Sequence, residues 1–204
     1  MSSKADRVVT GNYFNKHATT NPLYRALTRR YRLTLQRVAA ELSPANALEI
    51  GSGEGYIVSY LREVHPALRI TASDIDPALL RRSAAAVPQA GWLACYGEAL
   101  PFAARQFDLV VACEVLEHVS EPGAVMAELR RTGRRWFLGS VPHEPWWRLL
   151  NMARLKYLPA LGNTPGHIQH WGRGQFARFA GQFVRIHRVE SAFPWTFVCG
   201  EWRE

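Results

Sequence analysis

The chain has 204 residues, 48% of them hydrophobic and 21% charged, enough to bury a substantial core without a metal or disulfide to hold it. That composition excludes a disordered chain and a small cross-linked scaffold. No apolar run approaches the roughly 18 residues of a membrane span, and the opening MSSKADRVVTGNYFNKH lacks the apolar stretch of a secretory signal. Cys95, Cys113 and Cys199 are an odd set without metal-ligand spacing, so the expected setting is reduced and cytoplasmic.

The net charge of +8 is unevenly spread. Residues 1–46 carry +6, residues 47–129 carry −6, residues 130–188 carry +10 and the last sixteen carry −2. An acidic middle is thus flanked by two basic segments. These suit phosphates, carboxylates, nucleic acid or an anionic membrane surface, or they form a solvated arginine-rich face with no partner.

In chain order, Pro22 to Leu42 reads as one long helix with Leu23, Leu27, Tyr31, Leu35 and Val38 along a single face. Strands follow at Ala45–Ile50, Arg69–Ser73, Gly91–Cys95, Phe107–Ala112, Arg135–Ser140, Phe183–Val189 and Trp195–Glu201. Helical patterns near 56–64, 77–86, 122–132 and 173–181 separate them. Asp76-Pro77 and Glu121-Pro122 read as helix openings, since proline suits the first helical position. This alternation predicts an α/β fold around a doubly wound, mostly parallel sheet in a single domain. Its parts are an N-terminal helical cap (1–45), a core (46–140), an insertion rich in Trp, His, Pro and Gly (141–172), and a last helix with strands (173–204).

The first strand runs into Leu48-Glu49-Ile50-Gly51-Ser52-Gly53-Glu54-Gly55-Tyr56. Glycines there let the backbone turn sharply and come close to a ligand as the next helix begins. The spacing is E-x-G-x-G-x-G; Tyr56 occupies the final glycine position of a dinucleotide fingerprint, and no Gly-Lys-Ser/Thr follows to make a P-loop. The second strand delivers Asp74, suited to a ribose diol. Together they predict a nucleoside ligand at the switch point of the sheet.

With LEIGSGEG at 48–55, ASDID at 72–76, GEALPF at 97–102 and FDLVVACEVLEHV at 107–119, the sequence resembles the class I S-adenosylmethionine-dependent methyltransferases. The resemblance covers residues 46 to 202. It implies a Rossmann-like sheet of seven strands with the last antiparallel, S-adenosyl-L-methionine as cofactor and S-adenosyl-L-homocysteine as product. It places Gly51, Ser52, Gly53 and Gly55 along the methionine moiety, with Glu49 near its ammonium. It sets Asp74 at the ribose hydroxyls, Ile75 on the adenine face, Glu98 at the exocyclic amine and the Ala99 backbone at a ring nitrogen. Cys113 and Glu114 would border the methionine end.

Methyl transfer from a sulfonium asks the protein mainly to hold the nucleophile close and aligned. A base is needed only where the acceptor must lose a proton. Candidates at the carboxyl ends of the strands are His118, His143 and His167, with Glu144 and His170 beside them. Glu114, Glu117 and His118 form E-x-x-E-H and would share one face of a helix. That pattern resembles the magnesium-dependent small-RNA 2′-O-methyltransferases and the ubiquinone-pathway O-methyltransferases, which implies a magnesium site completed by His167. L-E-H-V also occurs in metal-free relatives, so the metal stays open.

Residues 144–158 read as an amphipathic helix with Trp146, Leu149, Leu150, Ala153 and Tyr157 on one face. It would serve as a lid, as a packed surface helix, or as a membrane-surface helix. Tyr13 and Lys16 are candidate closing residues. The expected function is methyl transfer, most simply O-methylation, to a small acceptor that is anionic, phosphate-bearing or lipid-linked. The alternatives are a metal-assisted RNA methyltransferase and a silent cofactor-binding protein. Nucleic acid is the less expected partner, peripheral membrane contact is open, and the sequence sets no oligomeric state.

Overall fold

A computed structural model describes residues 21–204. Its sheet has seven strands: β1 (Asn46–Ile50), β2 (Arg69–Asp74), β3 (Gly91–Ala94), β4 (Phe107–Cys113), β5 (Gly133–Pro142), β6 (Val184–Ala192) and β7 (Trp195–Trp202). They lie in the order β3-β2-β1-β4-β5-β7-β6. All neighbours are parallel except β7, which runs antiparallel to both β5 and β6. The chain reverses its direction of growth between β1 and β4, so a crevice opens beyond their carboxyl ends.

Alternation along the strands divides the core in two. On one side α1 (Pro22–Ala40) and α2 (Tyr56–Val64) bury Tyr31, Leu35, Val38, Ile57 and Leu61 against Ala47, Val111 and Phe197. On the other, α4 (Pro122–Thr132) and α6 (Arg173–Ala180) bury Met126, Leu129, Phe176 and Ala180 against Leu48, Val110 and Phe137. The helix starts follow their capping chemistry. Asn21 Oδ1 accepts from the Leu23 and Tyr24 amides, and Asp76 Oδ1 accepts from Ala78 and Leu79 at the head of α3 (Pro77–Ala86). Prolines occupy the first turns of α1, α3 and α4.

Strand and helix expectations hold to within a few residues, with three differences. Leu23, expected on the buried face of α1, is exposed; inward burial begins at Thr28. The helix expected over 144–158 is α5 (Trp146–Ala153) alone, because Leu155 and Tyr157 adopt left-handed backbone that no helix continues through. Glu114 is also left-handed, and only Leu116–His118 forms a single 3-10 turn, so no helix carries the E-x-x-E-H pattern. Tyr13 and Lys16 lie outside the described residues. Among the described residues no helix is long and apolar enough to cross a membrane.

Candidate active site

The glycine loop is shaped by left-handed backbone at Gly51, Gly53 and Gly55. At Gly51 the need is double, since φ is +62° and a Cβ would lie 2.4 Å from Val115 Cγ2. Asp74, at the tip of β2, holds the loop from the side. Its Oδ2 accepts from the Gly53 amide at 2.9 Å and its Oδ1 from the Asp76 amide at 3.0 Å.

Glu49 sits behind the loop on β1, 1% exposed. Burial first, and the Asp74 carboxylate second, push its carboxyl well above the usual range, against a hydrogen bond from the Val58 backbone. Its Oε2 and the Ser52 hydroxyl are both buried with no hydrogen-bond partner. Buried polar atoms left unsatisfied beside a ligand-shaped loop are what a bound cation and polar ligand would complete.

A cleft with about 520 Å³ of empty space, open to solvent, lies over this loop. Gly51, Ser52, Gly53, Cys113 and Glu114 are among its lining residues. Asp74 reaches it through Gly53. Gly55 turns the chain into α2, and Glu98 and Ala99 are exposed, outside the cleft lining. Ile75 is half-buried just past Asp74.

The far wall was not expected from the sequence. Thr28 and Tyr31 of α1 and Trp195 of β7 close it. The Tyr31 hydroxyl lies 2.7 Å from Ser140 Oγ, and its ring meets Trp195 edge-on at 5.1 Å. A tyrosine on an otherwise aliphatic helix stripe was the one signal available. Burial pushes the Cys113 thiol up to about 12, so it stays neutral beside the cleft.

Past Glu114 in the chain, Glu117 and His118 converge with His167, each with one candidate ligand atom within 4.8 Å of the others. Two backbone bonds fasten the segments, because the Glu117 carbonyl accepts from the amides of Ile168 and Gln169. His118 Nδ1 lies 3.0 Å from the Gly166 carbonyl, which makes Nδ1 the protonated nitrogen and leaves the lone pair on Nε2. The His118 and His167 rings meet edge-on at 4.8 Å, and Trp147 stacks on His167. Glu114 stays at the cleft and is not in this group, which corrects the four-ligand expectation. His143, at the end of β5, is not a member either; burial, then Arg173, holds its imidazole below the ordinary pKa.

A methyltransferase-domain family model matches residues 48–135, the stretch that builds the loop, Asp74 and the cleft floor. Over that stretch the chain is similar to the methyltransferase-domain family. The glycine loop, Asp74 and the cleft suit S-adenosyl-L-methionine, the cofactor that the resemblance implies. Among curated proteins it is 35% identical over 103 residues to a malonyl-[acyl-carrier protein] O-methyltransferase of Laribacter hongkongensis, covering 45% of this chain and 35% of that one. The chain spans between about a third and a half of the length of the curated relatives it matches.

The magnesium protoporphyrin IX methyltransferase of Synechocystis, solved with S-adenosyl-L-homocysteine, superposes with a TM-score of 0.65 at 17% identity, covering 91% of this chain and 89% of that one. The N-methyltransferase NodS of Bradyrhizobium japonicum, solved with the same molecule, gives 0.66 at 17% identity over 91% and 90%. These two likenesses are of fold.

Proposed function

We propose that this chain transfers the methyl group of S-adenosyl-L-methionine to an oxygen of a small acceptor, with the Glu117–His118–His167 cluster taking the acceptor's proton. The observation that carries this reading is the convergence of that cluster, two of whose members follow Glu114 of the cleft lining by three and four residues. The acceptor oxygen attacks the methyl carbon in line, the carbon–sulfur bond breaks, and the sulfonium leaves as the neutral thioether of S-adenosyl-L-homocysteine. The acceptor proton passes to His118 Nε2, and the buried Glu117 carboxylate stabilises the imidazolium that forms.

Basic segments on either side of the acidic core favour an acceptor with an anionic group. The O-methyltransferase named among the relatives agrees with oxygen as the target. The three cysteines are free thiols, in keeping with a reducing cytoplasmic setting. This reading takes residues 1–204 as a single domain, with α1 within its cap at 1–45.

The same cluster favours a second reading, in which Glu117, His118 and His167 hold a divalent ion. Two imidazoles and one carboxylate fit a divalent transition metal better than magnesium, which takes oxygen donors. The carbonyl of Gly166 behind His118 is the outer partner that metal-binding histidines use. When bound, such an ion lowers the pKa of an acceptor hydroxyl.

The test is methyl transfer from labelled S-adenosyl-L-methionine to acidic, phosphorylated and acyl-linked small molecules, with chelator or with added manganese. Transfer in chelator, reduced on changing His118 to Ala, supports the base; transfer only with metal supports the ion. No transfer to any oxygen acceptor, with transfer to amines instead, would overturn O-methylation.

A further inference from the structure

The insertion between β5 and α6 turns its apolar side outward. In α5 the inward positions are Trp147, which meets Trp195 at 5.4 Å, and Asn151, whose Nδ2 donates to the Gly162 carbonyl at 2.8 Å. Trp146, Leu149 and Ala153, spaced along the opposite face, are exposed. A surface helix that buries its asparagine and presents tryptophan and leucine to water is inverted relative to ordinary packing.

Past α5 the pattern intensifies. Leu155 is 79% exposed and Leu161 65%. Leu158, Pro159, Ala160 and Leu161 form an unbroken exposed apolar run, and Ile168 adds another exposed side chain. An apolar surface of this extent marks an interaction site.

The charges of the same excursion have one sign apart from its one acid, Glu144, which is largely buried. From residue 145 to 172 the formally charged side chains are Arg148, Arg154 and Lys156, with no Asp or Glu. Arg154 and Lys156 lie over the ring of Tyr24, at 4.4 and 5.9 Å, which brings the start of α1 to the same place. The exposed Leu23 and the cationic Arg25 flank that tyrosine in sequence.

We propose that this excursion docks the protein on an anionic lipid surface, its leucines and Trp146 entering the headgroup region and its cations meeting lipid phosphates. Apolar side chains on a protrusion, accompanied by basic ones and with the one acid largely buried, suit the interface of a bilayer. Because Trp147 of the same segment packs on Trp195 of the cleft wall, docking would bring the cleft entrance toward the membrane.

The test is flotation of the full chain with phosphatidylcholine vesicles and with vesicles also carrying phosphatidylglycerol, at low and high salt. Binding to the anionic vesicles alone, weakened by salt, is expected. The Leu155→Glu/Leu161→Glu double variant should lose it, while circular dichroism and S-adenosyl-L-homocysteine affinity stay as in the wild type. Lys156→Ala should weaken partitioning about fivefold, the effect of one basic residue at an anionic surface. Absence of binding to both vesicles, equal binding by the double variant, or leucine-dependent self-association in its place would overturn the proposal.

Discussion

The Tyr31 hydroxyl and the Ser140 hydroxyl lie 2.7 Å apart, joining the first helix to the end of β5 across 109 residues of sequence. Both residues are buried, so the bond forms away from water, with the Cys113 thiol as the neighbour of both hydroxyls. It closes one wall of the cofactor cleft and fixes α1 above it. Removing only one partner leaves a buried polar group unsatisfied, which costs about 1–3 kcal/mol.

Tyr31→Phe should therefore lower stability by about that amount, while a Tyr31→Phe/Ser140→Ala pair should regain part of it. Chemical denaturation of the three variants measures this. Additive losses in the pair would show that the two hydroxyls do not act together.

Gly51→Ala meets two obstacles, a backbone φ of +62° and the Val115 methyl 2.4 Å from the new Cβ. We expect cofactor affinity to fall at least tenfold. Val115→Ala in the same chain should relieve the contact but not the backbone strain, which for a non-glycine residue in that region is about 1–2 kcal/mol. Full restoration of binding by the second change would mean that the contact alone is responsible.

Glu49 couples cofactor binding to pH. Its carboxyl is raised well above the ordinary value in the folded protein, by burial and then by Asp74. Its contribution to stability is therefore present below the unfolded-state pKa of about 4.3 and is lost as pH rises through the folded value. A ligand ammonium placed beside it favours the ionised form, so binding should release a proton. Titrations in buffers of different ionisation enthalpy should give different heats for the wild type and the same heat for Glu49→Gln. Buffer-independent heat in the wild type would refute the coupling.

The Glu117–His118–His167 cluster separates its two roles by metal binding alone. Under the metal reading, manganese should bind the purified protein stoichiometrically, and both Glu117→Gln and His167→Ala should weaken that binding at least tenfold. Titration followed by electron paramagnetic resonance reads this without any acceptor. If manganese does not bind, the histidines act as proton acceptors and the metal reading falls.

The sheet was legible because each strand is a short apolar run bounded by turn chemistry, and Asn21, Asp76 and the helix-opening prolines announce where helices begin. The loop glycines and Asp74 were legible because a strand, a turn needing positive φ and an acid on the next strand form one local grammar. Tyr31 and Trp195 were not, since they reach the cleft only through the packing of α1 and β7, and sequence spacing carries no trace of that. Periodicity misled at two places. It ran the helix of 144–158 through Leu155 and Tyr157, whose left-handed backbone ends it, and it put Glu114 on a helical face that its own φ of +61° forbids.

The most direct test of the account is calorimetric titration of the full chain with S-adenosyl-L-methionine, beside the Asp74→Ala variant. Asp74 holds the Gly53 amide of the loop at 2.9 Å, so its loss disturbs the loop together with the ribose contact expected of it. The account predicts saturable one-site binding by the wild type and at least a hundredfold weaker binding by the variant with the fold intact. Equal affinity in the two proteins, or no binding by the wild type, would contradict it.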